Sequence, residues 1–288
     1  MTISRRSFLK TSAAAGASLK FSVGLEPVSA ETERSAMRIQ LIRHATCAIQ
    51  YGDRRFLLDP MLSDPGAMPP INNTPNPRPN PLVPLPIPAT EVLSGVEAIV
   101  VTHTHRDHWD PAATKLVRKD TKLFIQPPDA PKFAEWGFSL VQEVQETVFW
   151  QGIRISRTGG QHGRGEIGRQ MAPVSGYVLT AQDLPTLYIA GDTVWCQEVA
   201  NAIQTYKPNV ILVNAGAPQF LEGGPICMDT DDVVKVCEAA PKAKVIAVHM
   251  EAINHCLLTR NALRDGLRKT SLSSSVMIPE DGERLSFS

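Results

Sequence analysis

The sequence predicts an α/β fold, or in its detail α+β, of sheets covered by helices on their outer faces. Three observations carry this. Short strand-like runs cluster between residues 38 and 58, and further along similar runs alternate with helix-like ones. The composition, 43% hydrophobic and 20% charged over 288 residues, is that of a chain with a core of its own. Strands first in a cluster and then in alternation with helices imply sheets shielded by helices, and a chain of this length fills its core without disulfide staples. No internal repeat and no break in composition follows residue 31, so 31–288 reads as a single domain.

Taken in order, the first thirty residues stand apart from that domain. Ser4-Arg5-Arg6-Ser7-Phe8-Leu9-Lys10 has the form of a twin-arginine export signal, followed by a weakly apolar Ala/Ser/Gly stretch and the small-residue site Val28-Ser29-Ala30. Residues 1–30 are therefore expected to be removed on export, which makes the export machinery a partner of the precursor and the periplasm, or another exported location, the destination. Runs at 38–43, 47–51 and 55–58 read as strands, with Gly52-Asp53 as the hairpin turn between the last two. Between residues 65 and 88 lie ten prolines, and a long loop of this kind is expected to be ordered and to border an active-site cleft.

The apolar run 98–101 reads as a buried strand, and Asp110-Pro111 as the cap and first turn of a helix to about 118. Further strands are expected at 122–125, 153–157, 177–180, 187–190, 210–213, 245–248 and 275–278, and helices at 194–206, 230–239 and 259–269. Net charge is +0, from 29 basic and 29 acidic residues, which gives no support to binding of nucleic acid or an anionic membrane. No apolar run reaches the roughly 20 residues of a bilayer span. The five cysteines are scattered, without a C-x-x-C pair, and read as buried free thiols, although an odd count in an exported chain leaves at least one free or paired with another chain.

The chemistry lies in the histidines. There are seven, and His103, His162 and His249 each follow a predicted strand, as does Asp192. Functional groups gather where the carboxyl ends of adjacent strands meet. In extended chain His103 and His105 point the same way, as i and i+2 residues do, and can grip one ion. Asp107 and His108 come where the chain turns into a helix and can face a second position. Imidazole and carboxylate donors suit zinc, and also manganese, iron or nickel. A carboxylate such as Asp192 can bridge two divalent ions, which would lower the pKa of a shared water and clamp attacking and leaving oxygens.

Thr102-His103-Thr104-His105-Arg106-Asp107-His108 resembles the signature of the metallo-β-lactamase superfamily. Leu41-Ile42-Arg43-His44-Ala45-Thr46 is similar to the opening strand of the branch that holds ascorbate 6-phosphate lactonase and the N-acyl-phosphatidylethanolamine phospholipase D group. Leu57-Leu58-Asp59-Pro60, Gly160-Gln161-His162-Gly163, Ala190-Gly191-Asp192-Thr193 and Val248-His249 follow in the family's order. The resemblance spans most of the chain after residue 37. It implies a four-layer αββα sandwich with two metal ions at one edge: His103, His105 and His162 on the first, Asp107, His108 and His249 on the second, Asp192 bridging. It also implies Asp107 as the group that orients the attacking hydroxide, Asp192 beside it in the chemistry, and a small-molecule substrate hydrolysed at an ester, lactone or phosphodiester. Asp59 is expected to hold a ligating histidine or a loop, or else to be a surface turn residue. His44 is expected behind the ligands or near substrate. His255 is expected to touch substrate, to cap the following helix, or to compete with His249 as the last ligand.

Two other classes are open at this level. A di-iron redox protein would use the same scaffold, but such relatives typically carry Glu where this chain has His105, and they need a flavin domain for which the chain has no room. A non-enzymatic metal- or ligand-binding protein would keep the fold, but the complete set of ligand types speaks against it.

Overall fold

In the computed structural model the described residues are 37–171 and 173–288. The export signal and its cleavage site, expected at 1–30, lie outside them. Strand β1 (Met37–Arg43) shows how one face is chosen: Met37, Ile39 and Leu41 are buried while Arg38 is exposed. That two-residue alternation turns one face of the strand inward. It pairs antiparallel with β2 (Thr46–Tyr51), which pairs with β3 (Arg54–Leu58) through the expected turn at 52–53. Then β4 (Ala98–Val101), β5 (Lys122–Ile125) and β6 (Val141–Glu143) add in parallel. The chain's last strand, β14 (Arg284–Phe287), closes the other edge against β1.

A second sheet of seven strands runs β13-β12-β11-β10-β9-β8-β7. It is built from β7 (Thr147–Trp150), β8 (Ile153–Thr158), β9 (Gly176–Thr180), β10 (Leu187–Ile189), β11 (Val210–Asn214), β12 (Lys244–Val248) and β13 (Val276–Met277). Its strands β10 to β13 are mutually parallel. The inner faces of the two sheets share one core, with Ile39, Leu41, Phe56 and Val100 meeting Ile155, Leu179, Leu212 and Ile246.

Each outer face is apolar too and needs a cover. On the first sheet Leu57, Ile99, Val101 and Ile125 pack under helices α1 (Ala89–Val92), α2 (Pro111–Leu116) and α3 (Ala130–Glu135). On the second, Tyr188, Ile211, Val213 and Val245 pack under α5 (Gln197–Tyr206), α6 (Thr230–Ala239) and α7 (Arg260–Leu267). A short helix, α4 (Gly165–Gln170), carries no buried residue. The result is the expected four-layer αββα sandwich. Asp110 caps α2 by accepting from the Ala113 amide, as expected. Two bounds shift. The helix expected from 194 starts at Gln197, because the amides of Val194 and Trp195 bond to Gln161 O and Asp232 Oδ2 instead of starting a helical turn. The strand expected over 275–278 contracts to Val276–Met277.

The proline-rich loop is joined to itself by a Met68–Asn80 bridge and to the rest of the chain by Asn254. Among the described residues no helix is long and apolar enough to cross a membrane.

Candidate metal centre

The site forms along one edge of the sandwich, where β1, β3 and β4 of one sheet and β8, β10 and β12 of the other end. The structure brings together all seven residues expected to hold metal, and His44 with them. They form two groups of four: His103, His105, His162 and Asp192; and His44, Asp107, His108 and His249, the donor atoms within each lying within 4.8 Å of one another.

The spacing is that of donors around an ion. Ligands about 2.0–2.1 Å from a tetrahedral centre stand about 3.3–3.4 Å apart. In the second group His108 Nε2 and His249 Nε2 are 3.2 Å apart. Asp107 Oδ2 lies 3.1 Å from His44 Nε2, 3.4 Å from His249 Nε2 and 3.7 Å from His108 Nε2. In the first, Asp192 Oδ2 is 3.6 Å from His162 Nε2 and 3.8 Å from His103 Nε2, and His105 turns Nδ1 toward His103 Nε2 at 2.9 Å. Asp192 also faces the second group, Oδ2 at 3.2 Å from His108 Nε2 and Oδ1 at 3.4 Å from His249 Nε2. It stands where a bridging carboxylate would.

Four histidines have the ring nitrogen that faces away from the centre held. His103 Nδ1 meets Thr102 Oγ1 at 3.1 Å, His108 Nδ1 meets Asp59 Oδ2 at 2.8 Å, and His162 Nδ1 donates to Ile226 O at 2.9 Å. His249 Nδ1 lies 3.6 Å from the Cys256 sulfur. Outer contacts of this kind fix the tautomer and aim the other nitrogen at an ion. Asp59 is buried, so it is not a surface turn residue. Its two oxygens accept from the Thr102 amide and hydroxyl as well as from His108.

Buried charge is concentrated here. Burial opposes charge on His108, yet Asp192, Asp107 and Asp59 around it hold its pKa well above the usual histidine value. Burial also works against ionised Asp107 and Asp192, but the neighbouring histidines, His108 foremost, hold both well below the usual carboxylate range. His103, His105 and His162 are shifted down, first by burial, and stay neutral and able to donate a lone pair. Three residues here adopt left-handed backbone: His44 (φ 60°), Asp59 (φ 41°) and His249 (φ 69°). Such conformations persist only where the surroundings enforce them, and here the His249 amide donates to His44 O across the gap between the sheets at 2.9 Å.

Several contributors have no counterpart in the sequence reading. Asn214, at the end of β11, donates to Asp192 Oδ1 at 2.7 Å; a polar residue closing the apolar run 210–213 at the same edge was the available signal. Thr102 ties His103 to Asp59. Gly216 lets two loops close, since a Cβ there would collide with the His249 carbonyl. His255 does not cap α7, whose cap is Thr259, and belongs to neither group of donors. It lines a cavity of about 250 Å³ above the groups, walled by Ile71 of the proline-rich loop, Met171, Phe220 and Ile226. All five cysteines are free, Cys47, Cys227 and Cys237 fully buried.

Comparison with known proteins finds the β-lactamase superfamily domain over residues 54–250 and a twin-arginine translocation pathway signal sequence over residues 2–21. The chain is 39% identical to the UPF0173 protein YddR of Bacillus subtilis (strain 168), over 87% of this chain and 100% of that one. It is 22% identical to a UPF0173 metal-dependent hydrolase of Sulfolobus acidocaldarius, over 74% of this chain and 83% of the relative. Among solved structures, the isothiocyanate hydrolase from Delia radicum gut bacteria superimposes with a TM-score of 0.83 at 36% identity, covering 87% of this chain and 99% of that one.

Proposed function

Because this chain belongs to the metallo-β-lactamase superfamily, as an exported metal-dependent hydrolase of the UPF0173 group, we propose that it uses two divalent ions to add water to a small, uncharged carbon electrophile. The observation that carries the reading is the pair of four-donor groups joined through Asp192 at the floor of an apolar cavity. His103, His105, His162 and Asp192 would hold one ion, and His44, Asp107, His108 and His249 the other. Bound there, the ions would supply a water of lowered pKa and a positive field for charge developing on the substrate. Donors of nitrogen and oxygen in this ratio favour zinc, with manganese, iron and nickel taking the same set.

The protein's own groups do the rest. Asp107, where the second group meets the cavity, would accept a hydrogen bond from the attacking water and orient it. Asp192 keeps the two halves of the site in register, itself held by Asn214. The cavity walls choose the substrate. Ile71, Met171, Phe220 and Ile226 offer apolar contact, and the cation among the lining residues is the exposed Arg106, a weak hold for a phosphate. Past Met171 and Phe220 the cavity adjoins a groove of about 530 Å³ bordered by Ile167 and Leu221, which suits an apolar tail. An isothiocyanate R–N=C=S fits this description, and the 36% identical relative is an isothiocyanate hydrolase. Lactones and esters with apolar tails come next, ahead of phosphodiesters.

The test is metal analysis of the mature protein and of Asp192→Ala, with both assayed on isothiocyanate, lactone, ester, phosphodiester and β-lactam substrates. We expect close to two ions per chain, turnover greatest on the isothiocyanate, and loss of both metal and turnover in Asp192→Ala. Less than one ion in the wild type, or equal turnover in the variant, would sink the reading.

A further inference from the structure

His255 lies six positions beyond His249, and its surroundings differ from those of the ligand-type histidines. It is 6% exposed and lines the cavity above the metal groups, yet its Nδ1 is buried without a hydrogen-bond partner among the described residues. The ring is not loose. The His255 carbonyl accepts from the Gln219 amide at 3.0 Å, Pro218 bridges to the adjoining Cys256, and the Phe220 ring stands 6.3 Å from the imidazole. The preceding residue, Asn254, is clamped to the proline-rich loop by its side chain. Backbone and neighbours thus hold an imidazole at the cavity wall with one nitrogen idle.

Burial lowers the pKa of His255 to about 4, so near neutral pH the ring carries one N–H. A buried N–H without an acceptor is the rarer and more costly orphan. The proton therefore sits on Nε2, at the edge of the ring turned to the cavity, and the idle Nδ1 keeps the lone pair. A neutral, preoriented donor at a cavity wall is most useful against an atom that becomes negative during reaction.

We propose that His255 is a catalytic residue: its Nε2–H donates a hydrogen bond to the substrate heteroatom that gains negative charge as water adds to the adjoining carbon. For an isothiocyanate that atom is the nitrogen or sulfur flanking the central carbon; for an ester or lactone it is the carbonyl oxygen. The assignment rests on the hydrolase reading above and adds to it a residue outside both metal groups.

Two measurements test it. The first compares wild type, His255→Phe, which keeps a ring but has no donor, and His255→Asn, which returns one. We expect both variants to retain the wild-type metal content and melting temperature. We expect kcat to fall about 100-fold in His255→Phe, the usual loss for one such donor, with KM little changed and part of the rate restored in His255→Asn. Unchanged kcat in His255→Phe overturns the proposal, and so does loss of metal in that variant, which would make the residue a ligand or a packing element. The second is imidazole ¹⁵N NMR on metal-free wild type, with the signal assigned by its absence from His255→Phe. A neutral ring protonated on Nε2 at pH 7 supports the donor, and a charged ring or an Nδ1–H tautomer overturns it. A wild type inert on every substrate class overturns the hydrolase reading itself, a failure visible without any variant.

Discussion

At Asp59 one carboxylate accepts three hydrogen bonds, from the Thr102 amide and hydroxyl at 2.7 Å each and from His108 Nδ1 at 2.8 Å. Burial pushes its pKa up, against the pull of His108 and Thr102, and these contacts fix where the carboxylate stands. Removing it leaves His108 free to turn and Thr102 free to release His103. Asp59→Ala should therefore weaken metal binding about 10- to 100-fold, the range typical of such outer contacts. Competition with a chelator of known affinity measures this, and unaltered affinity would show that ring aim is set elsewhere.

The histidines also make a pH prediction for the metal-free protein. Burial lowers His44 to about 3 and His255 to about 4, and lowers His103, His105 and His162 as well. In the unfolded chain each takes a proton near 6.5. Below that pH the unfolded state binds more protons, so stability is undiminished above 6.5 and is lost as pH falls toward 3. His108, raised by its three carboxylates, acts in the opposite sense: its contribution is full below 6.5 and is lost as pH rises through its folded pKa. Asp59, raised by burial, acts in that opposite sense too, so five groups stand against two and set the sign. The melting temperature of metal-free protein should fall steadily from pH 7 to pH 4 by circular dichroism, and a flat or rising profile would mean that His108 dominates.

Among the elements, the proline-rich loop depends most on one side chain. Asn254 Oδ1 accepts from the Ile71 amide and Asn80 Nδ2, its Nδ2 group donates to Ile71 O, Thr74 Oγ1 and Asn76 O, and its amide donates to Asn80 Oδ1. Asn254→Ala would leave several of these buried groups unpaired, each costing about 1–3 kcal/mol. We expect a net loss of about 3 kcal/mol in urea unfolding, new protease cleavage within 65–88, and impaired turnover because Ile71 leaves the cavity wall. An uncut loop in the variant would contradict the clamp.

This clamp was invisible in the sequence, since Asn254 and Ile71 are 183 positions apart, whereas the loop's ten prolines were plain. The same divide runs through the other elements. Strands whose apolar runs are buried on both faces, such as Ala98–Val101 and Val210–Asn214, were read to within a residue. The edge strands Val141–Glu143 and Thr147–Trp150 are short and part-exposed, α4 buries nothing, and β14 acquires its role only by pairing with the other end of the chain. None of these carries a periodic apolar signal. The motif from His103 to His108 was legible because its spacing is local. His44 was flagged only as a residue behind the ligands or near substrate, because its partner Asp107 lies 63 positions away and its backbone is left-handed.

For the whole molecule, the two sheets meet at the site without sharing a strand. The first sheet supplies His44, His103, His105, Asp107 and His108, and the second supplies His162, Asp192 and His249. Each proposed ion therefore has donors from both sheets, and binding it should tie the halves of the sandwich together. Present at about 1,000 times its dissociation constant, one ion adds about 4 kcal/mol to stability. In a domain of this size each kcal/mol moves the melting temperature by about 2–4 °C. Chelation should thus lower the melting temperature by about 10 °C or more, zinc should restore it, and Asp192→Ala should melt near the chelated value and ignore chelator. A wild type whose melting temperature is indifferent to chelation would mean that the two groups hold no ion. The carboxylates around His108 would then have to be satisfied by its own proton, and the case for a metal-dependent reaction at this edge of the sandwich would fall with that result.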